Sequence, residues 1–452
     1  MSGVLVLGLA ETGTAVARRL RAEGRAVVVA DDHPGGPGWA RRAAAVRALG
    51  VTVVEAPPAP EYERLVREAA LVVPSPLVPP AHPAVAAARA AGVPVRAEID
   101  VAAERARVPI VAVTGTNGKS TVTTLVTGML AASGARAVAA GNIGRPLVDA
   151  LDDDCDVLVA EVSSFQLAFA ETFRPRVAVL LAVAEDHLDW HGDLDHYVAS
   201  KARVFRRQRG DDLLVYDGDD PVASRLALDA PAARVAVSPT APPGGGAFHV
   251  HAGALCTPGG TVVADVADMG RALAHDLTNA LAAAAAALHV GATPDGVRAA
   301  LRAHVTLPHR VTLVGEHGGV RYYDDSKATN PHATVRAVAS FDSVVLLAGG
   351  RNKGLDLRAL RAGADHVRSV VAFGEAAAEV AAAFEGVRPV VTVRTMREAV
   401  RAAAGAARPG DVVLLSPACA SFDAYGGYAA RGDDFAAEVR ALASRAGGAG
   451  VP

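Results

Sequence analysis

Residues 111–123 read VAVTGTNGKSTVT: an apolar strand, a loop of small residues with one lysine, and a hydroxyl-rich helix start. A strand that delivers Gly115, Gly118, Lys119, Ser120 and Thr121 to a helix N-terminus aims backbone N–H groups and the positive end of the helix dipole at one spot, which suits an anion. Lys119 then reaches the outer phosphates of a nucleotide, and a hydroxyl from Ser120 or Thr121 faces its Mg²⁺. The full phosphate-loop pattern asks for glycine five residues before Gly118, where Val113 stands. The loop is therefore a shortened variant, G-x-x-G-K-S-T. An ordinary βα turn is the alternative, but lysine and two hydroxyls directly after glycine serve packing poorly.

Outward from that loop, short Val/Leu runs alternate with Ala/Arg helices. Before it come VLVLGLA, a helix over Thr14–Glu23, AVVVADD, a helix over Trp39–Gly50, VTVVEA, LVVPSP and a helix over His82–Gly92. After it come AVAAGN, VLVAEV and VAVLLAV, then a third series with VVLLAGG, SVVAFG, PVVTV and DVVLLSP. Such alternation predicts βαβ units and mostly parallel sheets. The expected class is α/β in three domains: a Rossmann-like domain over 1–97, a central phosphate-loop domain over 98–305 and a C-terminal Rossmann-like domain over 306–452. The segment VSPTAPPGGGAF and the Gly/Thr-rich stretch after it read as loops and a small β excursion within the middle domain.

Composition narrows the class of function. The 452 residues carry a formal net charge of −3, with Lys and Arg spread along the chain, so no basic stripe offers itself to nucleic acid or an anionic membrane. Cys155, Cys256 and Cys419 stand far apart without a C-x-x-C pair, which argues against a disulfide framework and suits a reducing cytoplasm. MSGVLVLGLAETG has no basic n-region and reads as a buried strand rather than a signal peptide, and NALAAAAAALHVGA falls short of a membrane span. Small molecules are the expected partners.

Other polar residues gather at strand ends. Glu161 ends VLVAEV at the sheet edge that carries the phosphate loop, where a carboxylate commonly completes a Mg²⁺ site. Glu185, Asp186, His187 and Asp189 follow VAVLLAV, while Lys201, in YVASKARVFRRQ, reads as a solvated helix lysine. RYYDDSKATNPHAT packs Asp324, Asp325, Ser326, Lys327, Thr329 and Asn330 into seven positions, too polar for a core strand; with LLAGGRNKG and LLSPACASFDAYGGY it places small and polar residues where open α/β sheets bind ligands. Cys419 reads as a small filler. In LGLAETG, Ala10 replaces the middle glycine of a dinucleotide fingerprint, so that loop suits a nucleotide-shaped ligand, an NAD site or tight packing equally.

Taken in order, GTNGKST, AEVSSFQL, EDHLDWHG, LPHR, DDSKATNPHAT, GGRNKG and LSPACASFDAY resemble the Mur ligase family over essentially the whole chain. The resemblance implies ATP-dependent amide-bond formation in peptidoglycan precursor synthesis. D-Glutamate would be added to UDP-MurNAc-L-Ala through an acyl phosphate, with ADP and phosphate released, by a monomer with two Mg²⁺ sites and no membrane anchor. By the same resemblance, Gly115, Thr116, Asn117, Gly118, Lys119, Ser120, Thr121, Asn279, Arg310 and Asp325 would bind ATP. Ser120, Thr121, Glu161, His187 and an N-carboxylated (carbamoylated) Lys201 would serve the metals, with Lys119, His187 and Lys201 catalytic. Thr12, Asp31, Ser75 and Asn142 would face the UDP-sugar, and Thr329, Lys353, Ser421 and Tyr428 the incoming amino acid. VVPSPLVPPAHP departs from the family's usual run, as do Asp276 and Tyr428. Three alternatives remain at this stage: a related ligase adding another amino acid such as L-glutamate, an NAD-dependent oxidoreductase built on GLAETG, and a non-catalytic nucleotide-binding regulator.

Overall fold

The computed structural model describes residues 3–447. The amino-terminal strands β1 (Gly3–Leu7), β2 (Val27–Asp31), β3 (Thr52–Glu55) and β4 (Ala69–Pro74) form a parallel sheet in the order β3-β2-β1-β4. Helices between these apolar runs supply the crossover connections that a parallel sheet needs. The helix Ala59–Glu68, with Pro60 in its first turn, lies between β3 and β4, where the strand–helix alternation read from the sequence placed no helix.

A nine-stranded sheet follows. Its parallel part uses β5 (Ile110–Thr114), β6 (Ala137–Gly141), β7 (Val157–Glu161), β8 (Val177–Leu180), β9 (Leu213–Asp217), β10 (Ala233–Val237) and β11 (Ala247–His251). β12 (Ala254–Cys256) and β13 (Val262–Asp265) add antiparallel strands at one edge, the expected β excursion, giving the order β13-β12-β11-β10-β9-β8-β5-β7-β6. Strand alternation sorts this sheet into two cores. Ile110, Ala112, Leu158, Ala160, Ala178 and Leu180 face a cluster shared with the amino-terminal sheet. Val111, Val113, Val157, Val159, Val177 and Val179 face the other side. Against that second side packs the alanine-rich helix Ala274–His289, with Ala280–Ala287 buried, so its small side chains serve close helix–sheet packing. Among the described residues, no helix is long and apolar enough to cross a membrane.

The last sheet runs β14-β15-β19-β16-β17-β18, from β14 (Thr312–His317), β15 (Val320–Asp324), β16 (Val344–Gly349), β17 (Val367–Phe373), β18 (Val390–Thr392) and β19 (Val412–Ala418). Only the β14–β15 pair is antiparallel. Of the polar run expected outside a core strand, Asp324 alone lies in one: VRYYD is an inner strand that ends on it, and 325–330 follow outside the strand. Val320, Tyr322 and Asp324 point inward and Arg321 outward, and the Asp324 carboxylate is satisfied by His309 Nδ1 at 2.6 Å and the Ser326 N–H at 2.9 Å. By contacts the described chain divides into two compact units at His304/Val305, with Ala184–Asp189 and Leu273–His275 grouped with the second.

Candidate functional site

The loop after β5 is shaped by two glycines at positive φ. Gly115 (φ 151°) leaves no room for a Cβ, which would fall 2.6 Å from the Leu181 Cβ. Gly118 (φ 88°) caps the helix Lys119–Ala132, and a Cβ there would meet Asn279 Oδ1 at 2.5 Å. The Thr116 N–H donates to the Ala182 carbonyl at 2.8 Å, and the Thr116 hydroxyl lies 2.9 Å from that of Tyr197. Lys119 folds back over the loop, its Nζ donating to the carbonyls of Gly115 and Thr116 at 3.0 Å each. Asn117 and Ser120 are half-buried and Thr121 is buried. Asn279 is therefore placed against the loop.

Two further sequence candidates converge on the same sheet edge. Glu161 pairs in register with Val113 and is buried. Its Oε1 accepts from Asn142 Nδ2 at 2.8 Å, while its buried Oε2 has no hydrogen-bond partner. A buried carboxylate oxygen without a donor is costly unless something cationic completes it. With Ser120, Thr121 and the loop N–H groups beside it, the donor set fits a Mg²⁺ held jointly with nucleotide phosphates. Among the described residues, no group of three or more His, Cys, Asp and Glu side chains could hold a metal by itself. Lys201 is not the solvated lysine its helix suggests: it is 1% exposed, its Nζ donates to the Gly115 carbonyl at 2.8 Å and lies 4.6 Å from the Tyr197 ring centroid.

Residues expected to meet the UDP-sugar are partly engaged within the chain. Asp31 receives the Leu9 N–H on one oxygen and the His33 N–H at 2.8 Å on the other. Ser75 Oγ donates to the Gly8 carbonyl at 3.3 Å, and Thr12 is half-buried in the first turn of the helix Glu11–Ala22. The departing run VVPSPLVPPAHP contributes His82, whose Nε2 lies 2.9 Å from Asp32 while its Nδ1 accepts the Ala84 N–H.

In the second compact unit the carboxyl ends of β15, β19 and β16 lie side by side. Asp325 is buried there and accepts from Ser416 Oγ at 2.8 Å; burial pushes its carboxyl up to about 7, against the pull of Ser416 and of the Arg310 guanidinium. Asn330 caps the helix Pro331–Val338 and donates from Nδ2 to Asp186 Oδ2 at 3.1 Å. Lys353 is ion-paired to Asp186 Oδ1 at 2.6 Å. Burial opposes the charge on Asp186, but the Lys353 ammonium prevails and holds its carboxyl below the ordinary range. His187, with φ 54°, follows directly and its side chain is half-buried. Thr329 is half-buried and Ser421 buried; Tyr428, at the edge of exposure, opens the helix Tyr428–Gly447. Burial pushes the Cys419 thiol up to about 12, in keeping with a packing role. Asp276, one of the departures, forms an ion pair with Arg271 at 2.7 Å.

Sequence reasoning missed Arg431 and the task of Asp186. Arg431 carries Asp434 three residues on and reads as a surface helix arginine, yet it is 0% exposed. Asp186 was one of four polar residues after VAVLLAV, with nothing to distinguish it.

Comparison with known proteins places these sites in a family context. The Mur ligase MurD-like N-terminal domain matches residues 2–97, the Mur ligase middle domain 113–287, and the Mur ligase glutamate ligase domain 309–419. The UDP-N-acetylmuramoylalanine–D-glutamate ligase of Frankia casuarinae is 44% identical across 97% of this chain and 94% of its own length. That of Desulfosudis oleivorans is 40% identical across 97% and 96%. Among solved structures, the UDP-N-acetylmuramate–alanine ligase MurC of Thermotoga maritima aligns with TM-score 0.55 at 18% identity, over 99% of this chain and 100% of its own. A folylpolyglutamate synthase/dihydrofolate synthase from Yersinia pestis, complexed with AMPPNP and a Mn ion, aligns with TM-score 0.51 at 21% identity, over 76% and 93%.

Proposed function

The chain belongs to the Mur ligase family, and on that premise we propose that it joins D-glutamate to UDP-MurNAc-L-Ala at the expense of ATP, in peptidoglycan precursor synthesis. The observation that carries the chemistry is the glycine loop of β5, with Lys119 folded over it and the unpartnered Glu161 oxygen at its side. The amino acid and acceptor are supported by near-full-length similarity to D-glutamate ligases. The NAD alternative is disfavoured at the first loop, where Ala10 stands in place of the glycine that lets backbone approach a pyrophosphate, while Gly13 packs so closely that a Cβ would fall 1.9 Å from the Gly8 carbonyl oxygen.

A free carboxylate is a poor acyl donor, so it needs activation before an amine can displace anything from it. The alanyl carboxylate oxygen attacks the γ-phosphorus of ATP, the bond to the bridging oxygen breaks, and ADP leaves. The D-glutamate amine then attacks the acyl carbon, expels phosphate and loses a proton. The protein's share is positioning and charge neutralisation. Lys119 exchanges its two loop carbonyls for phosphate oxygens; Glu161, a hydroxyl of Ser120 or Thr121, and His187 are the assigned metal ligands. Mg²⁺ supplies neutralisation of the developing phosphoryl charge.

Lys201 is assigned an N-carboxylated side chain. A carbamate keeps one N–H, so its bond to the Gly115 carbonyl survives while the terminus becomes an anionic ligand, relieving the repulsion a buried ammonium would meet beside a cation. Asn279, Arg310 and Asp325 are assigned to the adenosine and γ-phosphate, and Thr12, Asp31, Ser75 and Asn142 to the UDP-sugar. Thr329, Lys353, Ser421 and Tyr428 are assigned to glutamate, with Lys353 turning from Asp186 to a substrate carboxylate. The domains are assigned to 1–97, 98–305 and 306–452, the working form to a monomer, and the compartment to the cytoplasm, where ATP is made available.

The test is phosphate release from the purified chain with ATP, Mg²⁺, UDP-MurNAc-L-Ala and D-glutamate, each omitted in turn, and L-glutamate alongside. Release only with the complete D-glutamate mixture is expected. Equal turnover with L-glutamate overturns the stereochemical assignment, and release without any amino acid overturns the ligase.

A further inference from the structure

We infer that Arg431 is a positioning residue that sets the mutual register of the loops assigned to the incoming amino acid. Its guanidinium is wholly buried, and no carboxylate of the described residues lies within ion-pair distance of it. Instead it donates to the backbone and one hydroxyl of three separate loops. Nε donates to Ser326 Oγ and Nη2 to the Ser326 carbonyl, both at 2.9 Å, in the loop after β15. Nη1 reaches the Cys419 carbonyl at 3.1 Å and the Ala420 carbonyl at 3.3 Å after β19, and more distantly the Gly349 carbonyl at 3.4 Å at the end of β16.

Each of those loops carries one residue assigned to glutamate: Thr329 after β15, Lys353 after β16 and Ser421 after β19. The fourth, Tyr428, is tied in through the same serine, because Ser326 Oγ donates to the Tyr428 carbonyl at 2.8 Å. The surrounding backbone is built to admit the guanidinium. Gly350 (φ 125°) allows the β16 loop to pass so close that a Cβ would sit 2.9 Å from Arg431 Nη1 and 2.3 Å from the Ala420 carbonyl oxygen. Arg351 and Ala420 exchange backbone hydrogen bonds at 2.8 and 3.0 Å, stitching the β16 and β19 loops together beside it.

A buried cation without a carboxylate partner is an expensive way to hold a fold together, and an apolar side chain would fill the same volume at less cost. What a planar fork of five donors provides, and an apolar filler does not, is fixed directions to several carbonyls at once. Burial depresses the basicity of the group to about 10, which still leaves it protonated at neutral pH. The guanidinium thus acts on the substrate only through the loops it spaces.

This inference rests on the ligase reading, and the experiment separates the two. Wild-type turnover with D-glutamate tests the reading itself. Arg431→Lys then keeps the charge and loses the fork. Its KM for D-glutamate is expected to rise tenfold or more, with KM for ATP and UDP-MurNAc-L-Ala within twofold and the far-ultraviolet circular dichroism unchanged. A flat KM for D-glutamate in an active, folded Arg431→Lys chain overturns the inference. So does an equal rise in all three KM values together with a lowered melting temperature, which would mark a structural role alone. If Arg431→Lys does not fold, Ser326→Ala, which removes one acceptor of the fork and the link to Tyr428, must show the same selective rise; an unchanged glutamate KM there overturns it equally.

Discussion

At the scale of single residues, Lys201 changes meaning most between sequence and structure. By pattern it belongs on a wet helix face; in the structure it is buried with its Nζ on the Gly115 carbonyl of the glycine loop after β5. Two chemistries suit that position: an ammonium that pins the loop, and a carbamate that pins the loop and carries an anion. Replacement separates them. Lys201→Ala removes both, and kcat is expected to fall by at least about 100-fold, the magnitude typical of losing one preorganised electrostatic group, with partial recovery on adding formate or acetate. Lys201→Arg keeps cation and donor but forms no carbamate, so it should be as impaired as the alanine variant. Near-wild-type kcat in Lys201→Arg, measured by phosphate release, would remove the carbamate and leave only the pin.

At the scale of elements, the parallel strands were legible because they are buried on both faces and read as continuous Val/Leu/Ala runs. The glycine loop after β5 stood out because its residue types serve packing poorly. Three things were hidden. The strand β15 ends on the buried Asp324, a residue that reads as loop although His309 and Ser326 satisfy it. The helix Ala59–Glu68 found no place in the strand–helix alternation, although Pro60 suits its first turn. Arg431 acts on loops far away in sequence, and no local pattern records that. The short helix Glu98–Ala103 shows another long-range effect: Glu98 Oε1 accepts the Val148 N–H at 2.6 Å while its other oxygen is buried without a partner. Burial pushes its carboxyl up to about 7 from the ordinary 4.5. The folded chain therefore holds a proton that the unfolded chain has released. Stability from this group is present below pH 4.5 and is lost as pH rises through 7, a cost on the order of 3 kcal/mol above that point. Denaturant unfolding between pH 5 and pH 9 should show wild type weakening with pH and Glu98→Gln a flatter slope; parallel slopes would mean that Glu98 is ionised throughout.

At the scale of the whole molecule, the two halves of the proposed reaction draw on different compact units: Lys119 and Glu161 belong to the first, Lys353 and Ser421 to the second. If phosphoryl transfer and amine attack are separate steps, they can be broken separately. Phosphoryl transfer to the alanyl carboxylate is reversible while ADP stays bound, so an isotope placed in the β,γ-bridge of ATP should scramble into the β-phosphate when UDP-MurNAc-L-Ala is present without D-glutamate. Lys353→Gln keeps a donor for Asp186, whose ion pair it would otherwise leave buried and alone. That variant should lose most amide product, by about 100-fold, yet scramble at a rate within a few-fold of wild type. Lys119→Ala should lose both. The outcome that rejects an acyl phosphate is absence of scrambling in a wild-type chain that makes product, whereas a Lys353→Gln chain that loses scrambling as well would move Lys353 from glutamate to the phosphoryl step.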